Sequence, residues 1–111
     1  MNNIPAGYKD ESGNFSATIH ELAQSINDLN QQATREYSQI VEQIIRSRSR
    51  DVRHIEHTLD GLLDFCGYDP ALQHYRKLCR YYYDIDPAAT VEYVNMYRKL
   101  WDSDVDEETE A

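Results

Sequence analysis

The sequence has 111 residues, which limits it to one domain near the lower end of domain size. Its hydrophobic share of 41% and aromatic share of 11% exclude a wholly disordered chain. The net charge of -9 is unevenly spread, because residues 35–101 carry ten basic and ten acidic side chains whereas residues 102–111 carry six acidic ones. A neutral body with an acidic tail argues against nucleic acid as a partner, since binding phosphates requires excess positive charge.

The chain begins with a predicted flexible arm, residues 1–15, in which Pro5 and two glycines accompany no periodic apolar pattern. A helical domain is expected to follow over residues 16–101. Thr18 and Glu21 have the spacing of a capping box, which predicts a helix start at about residue 17. Residues 102–111 are predicted to form an acidic disordered tail.

The strongest pattern in the sequence is an apolar stripe over about residues 17–66. At about 100° per residue, all its apolar side chains fall within one helical sector of roughly 160°. This phase retention favours one continuous long helix. A bend at residues 46–51 stays open as the alternative, because Arg48 falls in the middle of the apolar sector.

Two shorter helices are predicted after the stripe, over about residues 70–84 and 87–102. Asp69 and Asp86 each precede a proline, which is the arrangement of a helix cap followed by a first-turn residue. Gly67 is suited to the left-handed conformation that ends many helices. The fold class is therefore all-α: a long amphipathic helix followed by two shorter antiparallel helices in a helical bundle.

A continuous long helix would have more apolar surface than the shorter helices can cover. At about 1.5 Å per residue it would span roughly 75 Å, against about 23 Å for each short helix. We therefore expect a homodimer, in which the stripe of one chain packs against that of another. Its period near 3.6 residues favours bundle-like packing over an extended supercoil. The candidate dimer interface consists of Ile19, Leu22, Ile26, Leu29, Ala33, Tyr37, Ile40 and Ile44. A break near Ser47 would instead allow a monomeric four-helix bundle.

A second candidate surface would bind another protein. Tyr81 is predicted to share an outward helix face with His74 and Lys77, and Val91 is predicted to lie on a polar face. Exposed tyrosine is typical of interfaces, although single exposed apolar residues are also ordinary. The basic cluster of Arg46, Arg50 and Arg53 could bind an acidic partner or phosphates, but salt bridges to nearby acids explain it more simply.

No catalytic, cofactor-binding or metal-binding residue is predicted. His57, Asp60 and Asp64 form one outward-facing cluster without the second motif of a helical metal site. Cys66 and Cys79 are expected to be reduced core residues, because a thiol in apolar surroundings is inert. The sequence contains neither a signal peptide nor an apolar run long enough to span a membrane, which predicts a cytoplasmic protein.

These features predict a non-enzymatic helical protein–protein interaction module, either a small dimeric adaptor or a structural accessory protein. The alternative hypothesis is an acidic inhibitor or regulator of a nucleic-acid-handling complex, such as an accessory protein of a phage or mobile element. In that case the acidic tail and helix faces would occupy a basic groove.

Overall fold

The computed structural model describes residues 3–102, with side chains from residue 15 onward. This part of the chain forms four helices: α1 (Asn3–Arg46), α2 (Val52–Leu63), α3 (Asp69–Tyr83) and α4 (Pro87–Trp101). The all-α prediction is confirmed, and no strand is present within the described range. The predicted acidic tail lies outside that range from residue 103 onward.

The chain divides into two compact units, Met1–Gln31 and Gln32–Ala111. In the first unit, α1 begins at Asn3 instead of near residue 17, so most of the expected flexible arm is helical. Pro5 does not prevent this because it lies in the first turn, where backbone N–H groups have no intrahelical acceptor. Thr18 therefore lies inside a helix, and the predicted capping box is wrong.

The second unit contains a turn over residues 47–51, which separates α1 from α2. The long helix is therefore interrupted, and the alternative of a bend at residues 46–51 is the better description. Arg48 has a φ of 56°, in the left-handed region. Its N–H donates to the Ile45 carbonyl at 3.1 Å, and the Ser49 N–H donates to the Ile44 carbonyl at 3.0 Å. This pair of bonds is a Schellman motif, with arginine where glycine is usual.

Helix α2 starts directly after this turn because Asp51 is its N-cap. The Asp51 carboxylate accepts from the His54 N–H at 3.2 Å, which satisfies one of the unpaired amides of the first turn. The Asp51 N–H in turn donates to Ser49 Oγ at 3.2 Å. Ser49 and Asp51 therefore stabilise the turn between α1 and α2 through their side-chain hydrogen bonds.

The core of the second unit is made by all four helices, with α3 packing against both α2 and α4. Its buried apolar side chains are Val41, Ile44, Ile55, Leu59, Leu62, Leu63, Cys66, Ala71, Tyr75, Leu78, Cys79, Tyr82 and Tyr93. Val41 and Ile44 from the end of α1 are at most 1% exposed. The C-terminal end of α1 is thus covered by the chain's own helices.

The starts of α3 and α4 differ from each other, although both follow an Asp-Pro pair. Asp86 caps α4 as predicted, with its carboxylate accepting from the Ala89 N–H at 3.0 Å. Asp69 is the first residue of α3, and its N-cap is Tyr68, which makes no side-chain capping bond. The predicted Asp69 cap is therefore wrong.

Gly67 is also not left-handed, because no described glycine has a positive φ. Its role is steric: a Cβ atom there would lie 2.7 Å from Cζ3 of Trp101. The missing side chain lets the indole approach the backbone closely.

Replacing Arg48 with glycine should stabilise the protein by about 1 kcal/mol, because a left-handed conformation costs an L-residue about that much and glycine nothing. The same change at Arg35, exposed within α1, should destabilise it by about 1 kcal/mol through lost helix propensity. Urea unfolding of Arg48→Gly and Arg35→Gly measures both free energies. Equal losses in the two variants would contradict the left-handed turn.

Candidate interaction surfaces

The first unit exposes a row of large apolar side chains along α1. Its members are Phe15, Ile19, Leu22, Ile26 and Leu29, which remain 49% to 67% exposed. Successive members are spaced four, three, four and three residues apart. This is the spacing of heptad positions d, a, d, a and d, and it places all five along one side of the helix. We call these five residues the α1 row.

Only part of the predicted dimer interface is exposed. Four of its members, Ile19, Leu22, Ile26 and Leu29, belong to the α1 row. The remaining four lie in the second unit, where Ala33 is half-buried and Tyr37 and Ile40 pack partly buried against the core.

Ile44 is 1% exposed, so it is not available to a second chain. Its inclusion in the interface is wrong, because the turn at residues 47–51 lets the later helices cover this end of α1.

Two half-buried members of the predicted partner surface, Tyr81 and Lys77, make contacts inside the second unit. Tyr81 is half-buried, and its hydroxyl donates to the Ser49 carbonyl at 2.6 Å. Lys77 donates to the carboxylate of Glu42, and this ammonium group lowers the pKa of Glu42. Lys77 therefore joins α3 to α1, and Tyr81 joins α3 to the turn that follows α1. The prediction of Tyr81 as a freely exposed aromatic residue is wrong.

The other members of the predicted partner surface are at least partly accessible. Val91 is 50% exposed and His74 is half-buried. Arg46, Arg50 and Arg53 are all exposed. Arg50 and Tyr81, which both belong to the predicted partner surface, line the same depression of about 610 Å³.

Helix α4 leaves more apolar surface exposed than its amphipathic pattern suggests. Val94, Met96 and Leu100 are all exposed. Trp101 is 46% exposed but anchored, because its indole N–H donates to the Leu63 carbonyl at 2.8 Å. The inward side of α4 is therefore narrow, with Tyr93 as its fully packed aromatic residue.

Buried tyrosines connect three of the helices through their hydroxyl groups. Tyr75 donates to the Tyr93 carbonyl at 2.7 Å, and Tyr93 donates to Asp60 at 2.9 Å. Tyr82 donates to the carboxylate of Glu56. Desolvation raises the pKa of all three hydroxyls, and the neighbouring carboxylates raise it further for Tyr82 and Tyr93. These tyrosines are neutral donors holding α2, α3 and α4 together.

The two cysteines are buried and not joined by a disulfide. Burial raises the pKa of each thiol to about 12, so both stay protonated at neutral pH. Because the thiolate is the reactive form, neither Cys66 nor Cys79 is a ready nucleophile or metal ligand.

Sequence reasoning missed a set of arginines between α3 and α4. Arg76, Arg80 and Arg98 line a groove of about 380 Å³ with mainly apolar walls. The spacing of Arg76 and Arg80, four residues apart, was a usable signal because it puts both on one side of α3. The contribution of α4 could be found only from the packing of the two helices.

Within residues 15–102, no group of three or more His, Cys, Asp or Glu side chains is placed to hold a metal ion. None of the helices in the described part of the chain has the length and apolar character needed to cross a membrane. A scan against protein-family models and searches of curated proteins and of solved structures find no match.

The buried tyrosines should make the protein sensitive to alkaline pH. Because their pKa values are raised in the folded state, their stabilising contribution is complete below pH 10 and is lost as the pH rises above it. Urea unfolding between pH 8 and pH 11 should show a free energy falling by up to about 1.4 kcal/mol per pH unit for each such tyrosine.

The variant Tyr75→Phe should flatten this decline by one tyrosine's share, whereas Tyr83→Phe, at an exposed position, should leave it unchanged. Parallel declines in both variants and the native chain would show that these hydroxyls do not cause the alkaline instability.

Proposed function

We propose that this protein is a non-enzymatic protein–protein interaction module that pairs with a second copy of itself through the α1 row. The observation that supports this function is the exposure of five large apolar side chains along one side of a helix. Contiguous exposed apolar surface of this kind marks interaction sites, whereas scattered exposed residues do not. Covering the row with an identical row from another chain removes both from water at once.

The identities of the row residues favour a parallel pair of two helices. Ile19 and Ile26 occupy a positions, and Leu22 and Leu29 occupy d positions. A β-branched residue at a combined with leucine at d favours the parallel two-stranded coiled coil, because each shape fits the packing at its own position. The proposed dimer is therefore parallel and in register.

Charge also favours pairing between copies of this chain. The e and g positions flanking the row are all uncharged: Ser16, Thr18, Ala23, Ser25 and Asn30. The charged residues of the segment, Glu21 and Asp28, fall at c positions, away from the contact. Two chains of net charge -9 can thus bring these helices together without placing like charges against each other.

The second unit supplies the surface for a different protein in this proposal. Its described residues 35–101 have balanced charge, which suits a protein partner better than nucleic acid. Exposed apolar residues on α4, among them Val91 and Leu100, provide contact area. An adaptor needs these two properties, a means of self-association and a separate binding surface.

The pairing is tested by placing a charge in the row. Ile26→Lys should weaken the dimer by a factor of about 100 or more, because an unpaired ammonium group would be buried at the contact, at a cost of several kcal/mol. Gln24→Lys adds the same charge to the same helix at an f position, facing away from the partner, and should leave the dimer intact. Light scattering over a concentration series measures both dissociation constants.

The native chain should change from monomer to dimer in that series, because a row of about two heptads gives a dimer that dissociates on dilution. A mass of 13.0 kDa at every concentration would contradict the proposed function.

The parallel register is tested by disulfide trapping of Leu29→Cys. In a parallel pair the two introduced thiols face each other, so mild oxidation should give a covalent dimer. Cys66 and Cys79 do not compete, because both are buried in the core. The matched control Gln24→Cys should remain monomeric on a non-reducing gel.

An antiparallel pair centred on Leu22 would instead place residue 29 opposite residue 15. Cross-linking that appears only when Phe15→Cys and Leu29→Cys are mixed would therefore overturn the parallel arrangement.

A further inference from the structure

A groove between α3 and α4 has the features of a peptide-binding site and is separate from the α1 row. It has a volume of about 380 Å³ and lies within the second unit. Its apolar floor is formed by Leu72, Tyr75, Cys79, Val94 and Tyr97. Tyr75 and Cys79 are buried, while Val94 is 41% exposed and so accessible from the open side. A floor of this kind can accept an apolar side chain.

Three arginines surround this floor. Arg76 and Arg80 come from α3 and Arg98 comes from α4, and all three are exposed. No acidic side chain among the described residues forms a salt bridge with any of these three arginines. The salt bridge found among the described residues joins Lys77 to Glu42, and neither of these residues lines the groove. Guanidinium groups bind carboxylates through paired hydrogen bonds, so the groove is complementary to an acidic segment that carries an apolar residue.

The chain itself contains such a segment next to the groove. Asp102, the residue that follows α4, is part of the groove lining. Beyond it the sequence continues with Asp104, Val105 and Asp106, and Val105 is the one large apolar residue between Asp102 and the end at Ala111. Asp102 itself lines the groove, and Val105 is joined to it by three residues, which span about 10 Å when extended.

We propose that the acidic C-terminal segment, residues 103–111, binds in this groove of its own chain. Val105 packs on the apolar floor, and the carboxylates of Asp104 and Asp106 pair with the arginines. Opposite charges meet there, since the segment carries five acidic residues and no basic one. A short tether gives the segment an effective concentration on the order of millimolar, so a modest intrinsic affinity suffices.

This binding gives the acidic segment a regulatory role. A partner protein that uses the groove must present the same chemistry, an apolar residue flanked by carboxylates, and must displace the chain's own segment. The apparent association constant for such a partner equals the intrinsic one multiplied by the fraction of molecules in which the groove is free.

Nuclear magnetic resonance of the full-length chain tests the proposal through the side-chain Nε–Hε signals of the arginines. The double variant Asp104→Asn, Asp106→Asn should shift the signals of Arg76, Arg80 and Arg98 by more than a peak width. Sodium chloride at about 0.5 M should move the native signals in the same direction, because salt screens exposed ion pairs. Arg46 and Arg53, which do not line the groove, serve as internal controls.

Two further variants separate specific binding from a general effect of charge. Val105→Ser keeps every charge but should shift the backbone amide signals of Val94 and Tyr97, which form the floor. Glu21→Gln combined with Asp28→Asn removes two negative charges from α1, as many as the groove variant removes from the C-terminal segment. This control should leave the groove signals unchanged. Adding a synthetic peptide of residues 102–111 to the Asp104→Asn, Asp106→Asn chain should restore the native arginine positions in a saturable way.

Groove signals that stay unchanged in the Asp104→Asn, Asp106→Asn and Val105→Ser chains would overturn the proposal. Shifts that depend on protein concentration would also overturn it, because they would assign the bound segment to a second molecule. Neither result depends on the α1 row. The Ile26→Lys chain, if it is monomeric, should give the same groove signals as the native one.

Discussion

Helix α1 has more apolar surface than the core of this small protein covers. The proposed self-association follows from this uncovered surface. The core uses Val41 and Ile44 near the end of α1, and they are sealed by helices α2 to α4. Five large apolar side chains earlier in the helix stay exposed. Small domains have few ways to hide such surface within one chain, and association with another chain is the usual remedy. Self-pairing is the economical form because the same residues serve both partners.

The second unit shows how a thin core can be held together by polar contacts as well as apolar ones. The hydroxyl groups of Tyr75, Tyr82 and Tyr93 bond to carbonyl or carboxylate oxygens on other helices. Tyr81 does the same for the turn at residues 47–51. Buried tyrosine contributes a large apolar ring together with a hydroxyl group that must find a partner, so it fixes the relative positions of helices more sharply than leucine would. Four tyrosines of this small protein, Tyr75, Tyr81, Tyr82 and Tyr93, are used in this way.

Much of this fold could be predicted from the sequence, and the errors have physical causes. Helical periodicity correctly indicated an all-α chain, and the Asp86-Pro87 pair correctly marked the start of α4. The turn at residues 47–51 was not favoured, because the apolar residues of α2 resume in phase with those of α1 and conceal the interruption. Arg48 in the middle of the apolar stripe did indicate the interruption, since it adopts a left-handed conformation just after the end of α1.

The candidate sites were harder to predict because exposure depends on which helices pack together. Averaging the apolar period over fifty residues hid the 3.5-residue spacing of the α1 row, which appears only when the buried residues are set aside. Tyr81 lies on an outward face of its own helix but is covered by the α1–α2 turn, which sequence periodicity does not include. The arginine groove likewise combines two helices whose register is set by tertiary packing.

Amide hydrogen exchange at several protein concentrations tests self-pairing through the α1 row most directly. If two chains pair through this row, exchange of the amides in residues 15–29 should slow as the concentration rises, because the bound helix opens less often. The amides of residues 52–101 should exchange at the same rate throughout the series. Exchange in residues 15–29 that is equally fast at every concentration would contradict the account.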